Sequence, residues 1–117
     1  DQVVREVVYQ CGKTLINLSP VDTSSFASNW FYAWGAPDGL YQPEARNRFE
    51  VNRLDRMPKK SASRVVHFVY NNAPYGPALE RGHSKQAPQG FVVLTTLAFP
   101  NIVANAAAKA RAGGAAE

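Results

Sequence analysis

The sequence predicts an α+β fold in which a small antiparallel sheet packs against an N-terminal helix and a long, proline-interrupted C-terminal helix. Apolar residues recur with helical spacing near both ends of the chain, and two short runs of aromatic and β-branched residues lie between them. A small sheet needs helical cover in water, and the two helices supply it. The 117 residues suit one domain. We place it at residues 1–113, with residues 114–117 as a frayed tail.

The first half of the chain predicts a helix, a strand and a loop. An apolar stripe at Val3, Val7, Cys11 and Leu15 indicates a helix that ends before Pro20. Three segments follow: a polar helical turn that reaches Ser28, with Asp22 and Thr23 as good N-caps; a strand over 29–34; and a loop over 35–43 with two glycines and two prolines.

The second strand and a short helix follow the middle of the chain. Between residues 44 and 60 the periodicity is poor and fits either a ragged helix or an edge strand. The β-branched and aromatic run over 64–70 predicts a strand, with Asn71 and Asn72 in its turn. Pro74 suits a first helical position, and residues 75–81 can then form a short helix that Gly82 closes.

The C-terminal helix is expected over 91–110, where apolar residues keep helical spacing up to the stop at Gly113. Pro100 lies inside it, and an interior proline costs about 3 kcal/mol, which predicts a kink or a break at Phe99. The alanine-rich part after Ala104 has little to bury and is expected to fray.

The charge of the chain is concentrated in its middle. The net charge is +4, and the segment from Glu44 to Arg64 holds seven basic residues against three acidic ones. Such a segment on a neutral body favours a polyanion or an acidic partner surface. We identify six of these residues as the partner-facing set: Arg46, Arg48, Arg53, Arg56, Lys59 and Lys60.

Several classes of function are disfavoured by the composition. Cys11 is the only cysteine, so the chain has no internal disulfide and no zinc site with two thiolates. The longest unbroken apolar run, residues 30–34, is far shorter than a membrane span. His67 lies in an apolar strand, Cys11 lies on a buried stripe, and no catalytic motif occurs. We therefore expect a soluble protein that is not an enzyme, with no membrane partner, metal or cofactor.

Nucleic-acid binding stays open as an alternative function. The aromatic run over 30–34 contains no basic residue, and the basic segment contains only Phe49 as an aromatic residue. This arrangement argues against sequence-specific DNA recognition, which interleaves the two residue types, but allows passive phosphate contact. The alternative is a small basic nucleic-acid-binding module. A hydrolase that uses His83 with Glu80 is a third interpretation, for which no substrate suggests itself.

Two motifs resemble the bacteriophage neck and tail-completion proteins, the small virion proteins that join the head connector to the tail. The first motif, SPVDTSSFASNWF, spans residues 19–31, and the second, YNNAPYGPALERGHSKQAPQG, spans residues 70–90. The chain departs from the family pattern in having Ser24 where glycine is common, Phe91 where methionine is common, and a strongly basic middle segment. The substitution at Ser24 has a cost only if that turn needs a positive φ.

The resemblance implies a structural role in the virion. The family forms a ring, six-fold in the expected case, between a head-tail connector or adaptor protein and a tail terminator or tube protein. Genomic DNA passes through the ring without sequence recognition. The protein would be assembled in the bacterial host cytoplasm and reside in the neck or tail of the virion.

The loop from Gly82 to Gly90 would then be a docking arm. The expected interface residues are Tyr75, Glu80, Gly82, His83, Ser84, Lys85, Gln86, Pro88 and Phe91, with Tyr75 and Phe91 as apolar anchors and Glu80, Lys85 and Gln86 as polar specifiers. The basic segment could line the DNA channel or grip an acidic rim of an adjoining ring. Cations in the channel would hold DNA back, so we favour the protein partner.

Overall fold

A computed structural model describes residues 1–20, 24–46, 50–83 and 90–113. It has the predicted α+β architecture, with a two-stranded antiparallel sheet, an N-terminal helix and a long C-terminal helix. The elements, in chain order, are α1 (Gln2–Leu18), β1 (Trp30–Trp34), β2 (His67–Asn71), the single-turn α2 (Gly76–Ala78) followed by a π-helical turn (Leu79–His83), and α3 (Phe91–Ala112).

The sheet has a third, irregular neighbour along β1. Trp30 pairs with Asn71 at one end of the ladder, and Trp34 pairs with His67 at the other. On the free edge of β1, the Tyr32 N–H donates to the Asn52 carbonyl at 2.8 Å, and the Asn52 N–H donates to the Trp30 carbonyl at 2.9 Å. The described part of the segment 44–60 is therefore neither of the two predicted alternatives, since it holds one bridge at Asn52 and a single 3₁₀ turn at Leu54–Arg56.

The two faces of the sheet bury different partners. Trp30 and Tyr32 face the helices, where α1 and α3 pack side by side. Phe31 lies on the opposite face, only 2% exposed, stacked on Tyr70 at 6.1 Å between ring centroids. The alternation of side chains along a strand produces both contacts, and the sheet thus lies between a helical layer and a layer of loops.

An aromatic cluster joins the sheet to α3. Phe26, Trp30 and Phe91 contact one another with ring centroids 5.1 to 5.8 Å apart, and both contacts of Trp30 are edge-to-face. The Trp30 indole N–H donates to the Ser19 hydroxyl at 2.9 Å, and that hydroxyl donates to the Leu15 carbonyl at the end of α1. One side chain therefore connects α1, β1 and α3.

The second strand begins three residues later than the sequence predicts. Arg64 lies in a 3₁₀ turn, Ala62–Arg64, because the Asp1 carboxylate accepts hydrogen bonds from the backbone N–H groups of Ser61 and Ser63. At its other end the strand includes Asn71, whose side-chain amide donates to the Phe26 carbonyl and so holds it in the ladder.

The predicted start and end of the short helix are also wrong. Pro74 lies in a turn with Tyr75, and Pro77 takes the early helical position, because the helix begins only at Gly76, which packs close to the ring of Phe26. Gly82 lies within the π-helical turn and does not close the helix.

The long helix continues through Pro100, so of the two outcomes predicted at Phe99 the break is wrong and the kink stays a prediction. Burial on both sides of the proline offsets its missing hydrogen bond, since Thr95 and Ala106 are both buried. The expected fraying after Ala104 is wrong up to Ala112, because Ala106 and Ala110 do find apolar contacts. Residues 114–117 lie outside the described part.

The turn before β1 does require a positive φ. Ser24 has φ = +64°, the left-handed conformation that glycine adopts at lowest cost. Ala27–Asn29 form one 3₁₀ turn, which overlaps the helical segment predicted to reach Ser28 and extends one residue further, so the strand begins at Trp30 and not at the predicted Asn29. The predicted caps Asp22 and Thr23 lie outside the described residues.

Candidate functional site

An open apolar groove lies between α1, α3 and β2. Its volume is about 780 Å³, within the range of ligand and partner pockets. Three groups of residues line it: Val3, Val4, Val7, Val8, Cys11 and Leu15 from α1; Trp30, His67 and Val69 from the sheet; and Val92, Thr95, Thr96, Phe99, Pro100 and Val103 from α3.

The described residues of the groove lining include almost no charged or reactive side chains. Among the described residues, the lining contains no Asp, Glu, Lys or Arg side chain. Cys11 is half-buried, and burial raises the pKa of its thiol, which disfavours the reactive thiolate. The Thr95 hydroxyl donates to the Phe91 carbonyl within its own helix. Such a lining recognises apolar surface and leaves a polar ligand without partners.

His67 is the one basic side chain in the lining, and both of its ring nitrogens have partners. Nε2 lies 2.6 Å from the Ala62 carbonyl oxygen, and Nδ1 lies 2.6 Å from the Tyr32 hydroxyl. A carbonyl can only accept, so Nε2–H donates to Ala62, and in a neutral imidazole Nδ1 then accepts from the Tyr32 hydroxyl. His67 therefore fixes the start of β2. Within residues 1–20, 24–46, 50–83 and 90–113, no group of three or more His, Cys, Asp and Glu side chains could hold a metal ion.

The outer surface of α3 is apolar and largely uncovered. Five of its large hydrophobic side chains are exposed: Val92, Val93, Leu97, Phe99 and Val103, with Leu97 at 70%. No charged residue occurs in the 18 positions from Phe91 to Ala108. By length and composition α3 could cross a membrane, with an 18-residue window of mean hydropathy 1.6 of which 17% is buried. Threonines, asparagines and Pro100 interrupt the apolar residues of this helix, so the longest unbroken apolar run of the chain lies elsewhere, at residues 30–34.

Glu80 clamps the start of α3. Its two carboxylate oxygens accept the backbone N–H groups of Val92 at 2.8 Å and Val93 at 3.0 Å. These N–H groups have no partner within the helix, and a carboxylate there also opposes the positive end of the helix dipole. Gly90, at φ = +101°, lets the chain pass close to Glu80. The clamp closes the base of the loop from Gly82 to Gly90, and the polar specifier predicted at position 80 is engaged within its own subunit.

The other predicted interface residues lie in different surroundings. Tyr75 is 41% exposed, whereas Phe91 is 3% exposed and belongs to the core. The prediction of Phe91 as a surface anchor is therefore wrong, because its ring packs between Phe26 and Trp30. Gly82 and His83 lie in the π-helical turn. Ser84, Lys85, Gln86 and Pro88 lie outside the described residues.

The described basic residues of the middle segment differ in their contacts. Arg53 forms an ion pair with Asp38 at 2.8 Å and lies over the Phe31 ring at 5.2 Å, so it serves the fold. Arg46 donates to the Pro43 and Ala45 carbonyls. Four members of the set are exposed, namely Arg46, Arg56, Lys59 and Lys60, and Arg48 lies outside the described residues.

Asp38 organises the loop layer and gives the fold a pH dependence. The Arg53 guanidinium, the Leu40 N–H and the Tyr70 hydroxyl all bind its carboxylate, which lowers its pKa to about 2. The ionised Asp38 carboxylate therefore stabilises the folded protein at pH values above the ordinary aspartate pKa of about 4, and this stabilisation is lost as the pH falls towards 2.

We expect the stability advantage of the wild type over Asp38→Asn to shrink from pH 4 towards pH 2, measured as the difference in urea midpoint at several pH values. A pH-independent difference would contradict the assignment.

Sequence reasoning missed both the groove and the clamp. The groove joins α1, β2 and α3, which are far apart in the chain, and Glu80 reaches α3 across twelve residues. The sequence does contain one signal of an exposed apolar helix face, which is the 18-residue stretch without charge from Phe91 to Ala108. A helix on a small protein surface normally carries charged residues on its outer face.

The comparisons with known proteins returned no significant match to a family model, a curated protein or a solved structure.

Proposed function

We propose that this chain is a structural virion protein of a tailed bacteriophage that forms a ring at the neck and joins the head connector to the tail. It works by shape and charge complementarity and converts no substrate. The proposal rests on the resemblance of the motifs at residues 19–31 and 70–90. The structural observation that carries it is the exposed, uncharged face of α3 beside an open apolar groove. An apolar patch of this kind is typical of a protein that associates with other protein chains.

The clamp supports a docking role for the loop from Gly82 to Gly90. The Glu80 carboxylate binds the backbone N–H groups of Val92 and Val93, so the described residues before and after the segment 84–89 lie close together. Tyr75, 41% exposed, lies against Phe26 with ring centroids 5.9 Å apart. An exposed aromatic ring on a rigid base is a common anchor of protein interfaces.

Visualising the oligomer tests this proposal most directly. We expect native mass spectrometry of the full chain to give one closed oligomer, six-fold in the expected case, and negative-stain microscopy to show rings. We also expect weak, strongly salt-sensitive retention on DNA. A monomer or dimer that binds DNA at moderate salt would instead establish the alternative, a small basic nucleic-acid-binding module.

The partner of the basic residues can be tested separately. Arg56, Lys59 and Lys60 are exposed, so replacing all three by glutamate should leave the fold intact and abolish joining of heads to tails. Arg5→Glu, an exposed arginine of α1, is the matched control and should join normally. Normal joining by the triple variant would contradict an acidic rim as the partner of these residues, and it would not contradict the proposed ring.

A further inference from the structure

We propose that Trp34 and a loop of four cations beside it form a docking surface for an acidic segment of another protein, in which Trp34 contacts an apolar side chain of that segment. The loop covers residues 56–66 and is called the basic loop below. Its cations are Arg56, Lys59, Lys60 and Arg64. This inference deepens the proposed role at the neck and rests on it, since it names the contact by which a subunit would hold an acidic neighbour.

Both ends of the basic loop are fixed beside Trp34. At its start, the Trp34 indole N–H donates to the Arg56 carbonyl at 3.2 Å. At its end, the Val66 carbonyl accepts the N–H of Gly35, the residue directly after Trp34, at 2.9 Å. The aromatic strand and the basic segment, which are separate in the sequence, therefore meet at this end of the sheet.

The middle of the basic loop is held from inside the subunit. Met57 is 8% exposed and Ala62 is fully buried. The Asp1 carboxylate accepts the backbone N–H groups of Ser61 and Ser63 at 2.6 and 2.9 Å. The four cations of the loop are all exposed. A loop that is fixed at both ends and in its middle loses little conformational entropy when a partner binds.

The positive charge of the basic loop is not neutralised within the subunit. In the part of the chain that the structure describes, none of the four cations forms an ion pair, whereas Arg53 is paired with Asp38. Even with the exposed Asp55 counted, residues 55–66 carry four positive charges against one negative charge. Such a local excess attracts an acidic surface and orients it during encounter.

Trp34 supplies an apolar contact beside these charges. Its side chain is 50% exposed, and its one polar group is already bonded to Arg56, so the exposed part of the ring offers apolar surface. Tryptophan and arginine are enriched among the residues that dominate the binding energy of protein interfaces. The segment that fits this surface therefore combines carboxylates with an apolar side chain.

An acidic protein segment fits the surface better than single-stranded nucleic acid. Sequence-independent nucleic-acid sites stack successive bases on several aromatic rings. In β1 and the basic loop, all of whose residues the structure describes, Trp34 is the one exposed aromatic side chain. The exposed Asp55 carboxylate would also repel a phosphate backbone, whereas a protein segment can place a neutral or basic residue opposite it.

A pair of labelled peptides tests the Trp34 contact in a double-mutant cycle. The first peptide has four glutamates on either side of a central phenylalanine, and the second has serine in place of the phenylalanine. We expect the full chain to bind the first peptide about tenfold more tightly by fluorescence polarisation, the upper end of what one aromatic pair contributes. Trp34→Ala should bind both peptides equally, since it keeps the cations and loses the ring.

The charge of the loop is tested with the same peptides. Lys59→Ser combined with Lys60→Ser should weaken the binding of both peptides equally and keep the preference for phenylalanine. Tyr9→Ala is the matched control, because Tyr9 is 43% exposed on α1 and its loss should change neither affinity. Circular dichroism of each variant should match the wild type, since the replaced side chains are exposed.

The outcomes distinguish this inference from the proposed function. Equal affinity of the wild type for the two peptides, or a preference that survives in Trp34→Ala, would overturn the Trp34 contact and would not contradict the ring. Oligothymidine bound more tightly than either peptide, with this binding lost in Trp34→Ala, would assign the surface to single-stranded nucleic acid and likewise overturn the contact. A wild-type chain that is monomeric yet shows the preference for phenylalanine would support the contact and contradict the ring.

Discussion

Replacing Trp30 by alanine is expected to lower the free energy of unfolding by about 3–5 kcal/mol, the usual cost of truncating a buried aromatic side chain. Trp30 is 3% exposed and makes edge-to-face contacts with both Phe26 and Phe91. Its indole N–H also bonds to Ser19, so the substitution disconnects α1 and α3 from the sheet. Since domains of this size are stable by about 5–15 kcal/mol, urea denaturation followed by circular dichroism will resolve the change.

Trp34→Ala provides the matched control on the same strand. Trp34 is 50% exposed, and its one indole hydrogen bond, to the Arg56 carbonyl, is 3.2 Å long. Its loss should cost less than about 1.5 kcal/mol. Equal losses for the two variants would show that the aromatic cluster around Trp30 does not hold the helices to the sheet.

Replacing Gly90 by alanine is expected to destabilise the protein by about 2–4 kcal/mol, from backbone strain and a steric clash together. Gly90 has φ = +101°, and a Cβ atom there would lie 2.7 Å from the Glu80 backbone carbonyl and 2.5 Å from its carboxylate. The start of α3 would have to move away from the clamp. A lowered urea midpoint and faster amide exchange at Val92 and Val93 would record this.

Gly39→Ala is the control for that substitution. A Cβ atom at Gly39 would meet no atom within 4 Å, so we expect a change within about 0.5 kcal/mol. A Gly90→Ala protein as stable as Gly39→Ala would show that Glu80 does not hold the first turn of α3 in solution.

The elements with strong local patterns were predicted well, and their boundaries less well. The apolar stripe of α1 and the aromatic run of β1 determine their own conformation, because a regular periodicity suits only one kind of backbone. The start of β2 was misplaced because Asp1, some sixty residues away, binds the turn at Ser61 and Ser63. Of the kink or break predicted at Phe99, the break is wrong, because α3 runs unbroken from Phe91 to Ala112 with Thr95 and Ala106 buried on either side of Pro100.

The candidate site divides in the same way. Tyr75, Arg56, Lys59 and Lys60 are exposed, and their role at an interface stays a prediction. Phe91 and Arg53 are used within the fold, the first in the aromatic cluster and the second against Asp38 and Phe31. Composition does not separate the two groups, because the choice depends on which side chains come into contact.

The sequence by itself determined the α+β class, the presence of a helix near each end of the chain, the aromatic strand and the local excess of positive charge. These follow from periodicity and composition, which act over a few residues. Only the tertiary structure decided that α1, β2 and α3 enclose an apolar groove, that Glu80 caps α3, and that Val93 and Leu97 stay uncovered. Each of these features depends on distances between residues far apart in the chain, which are fixed by packing of the whole domain.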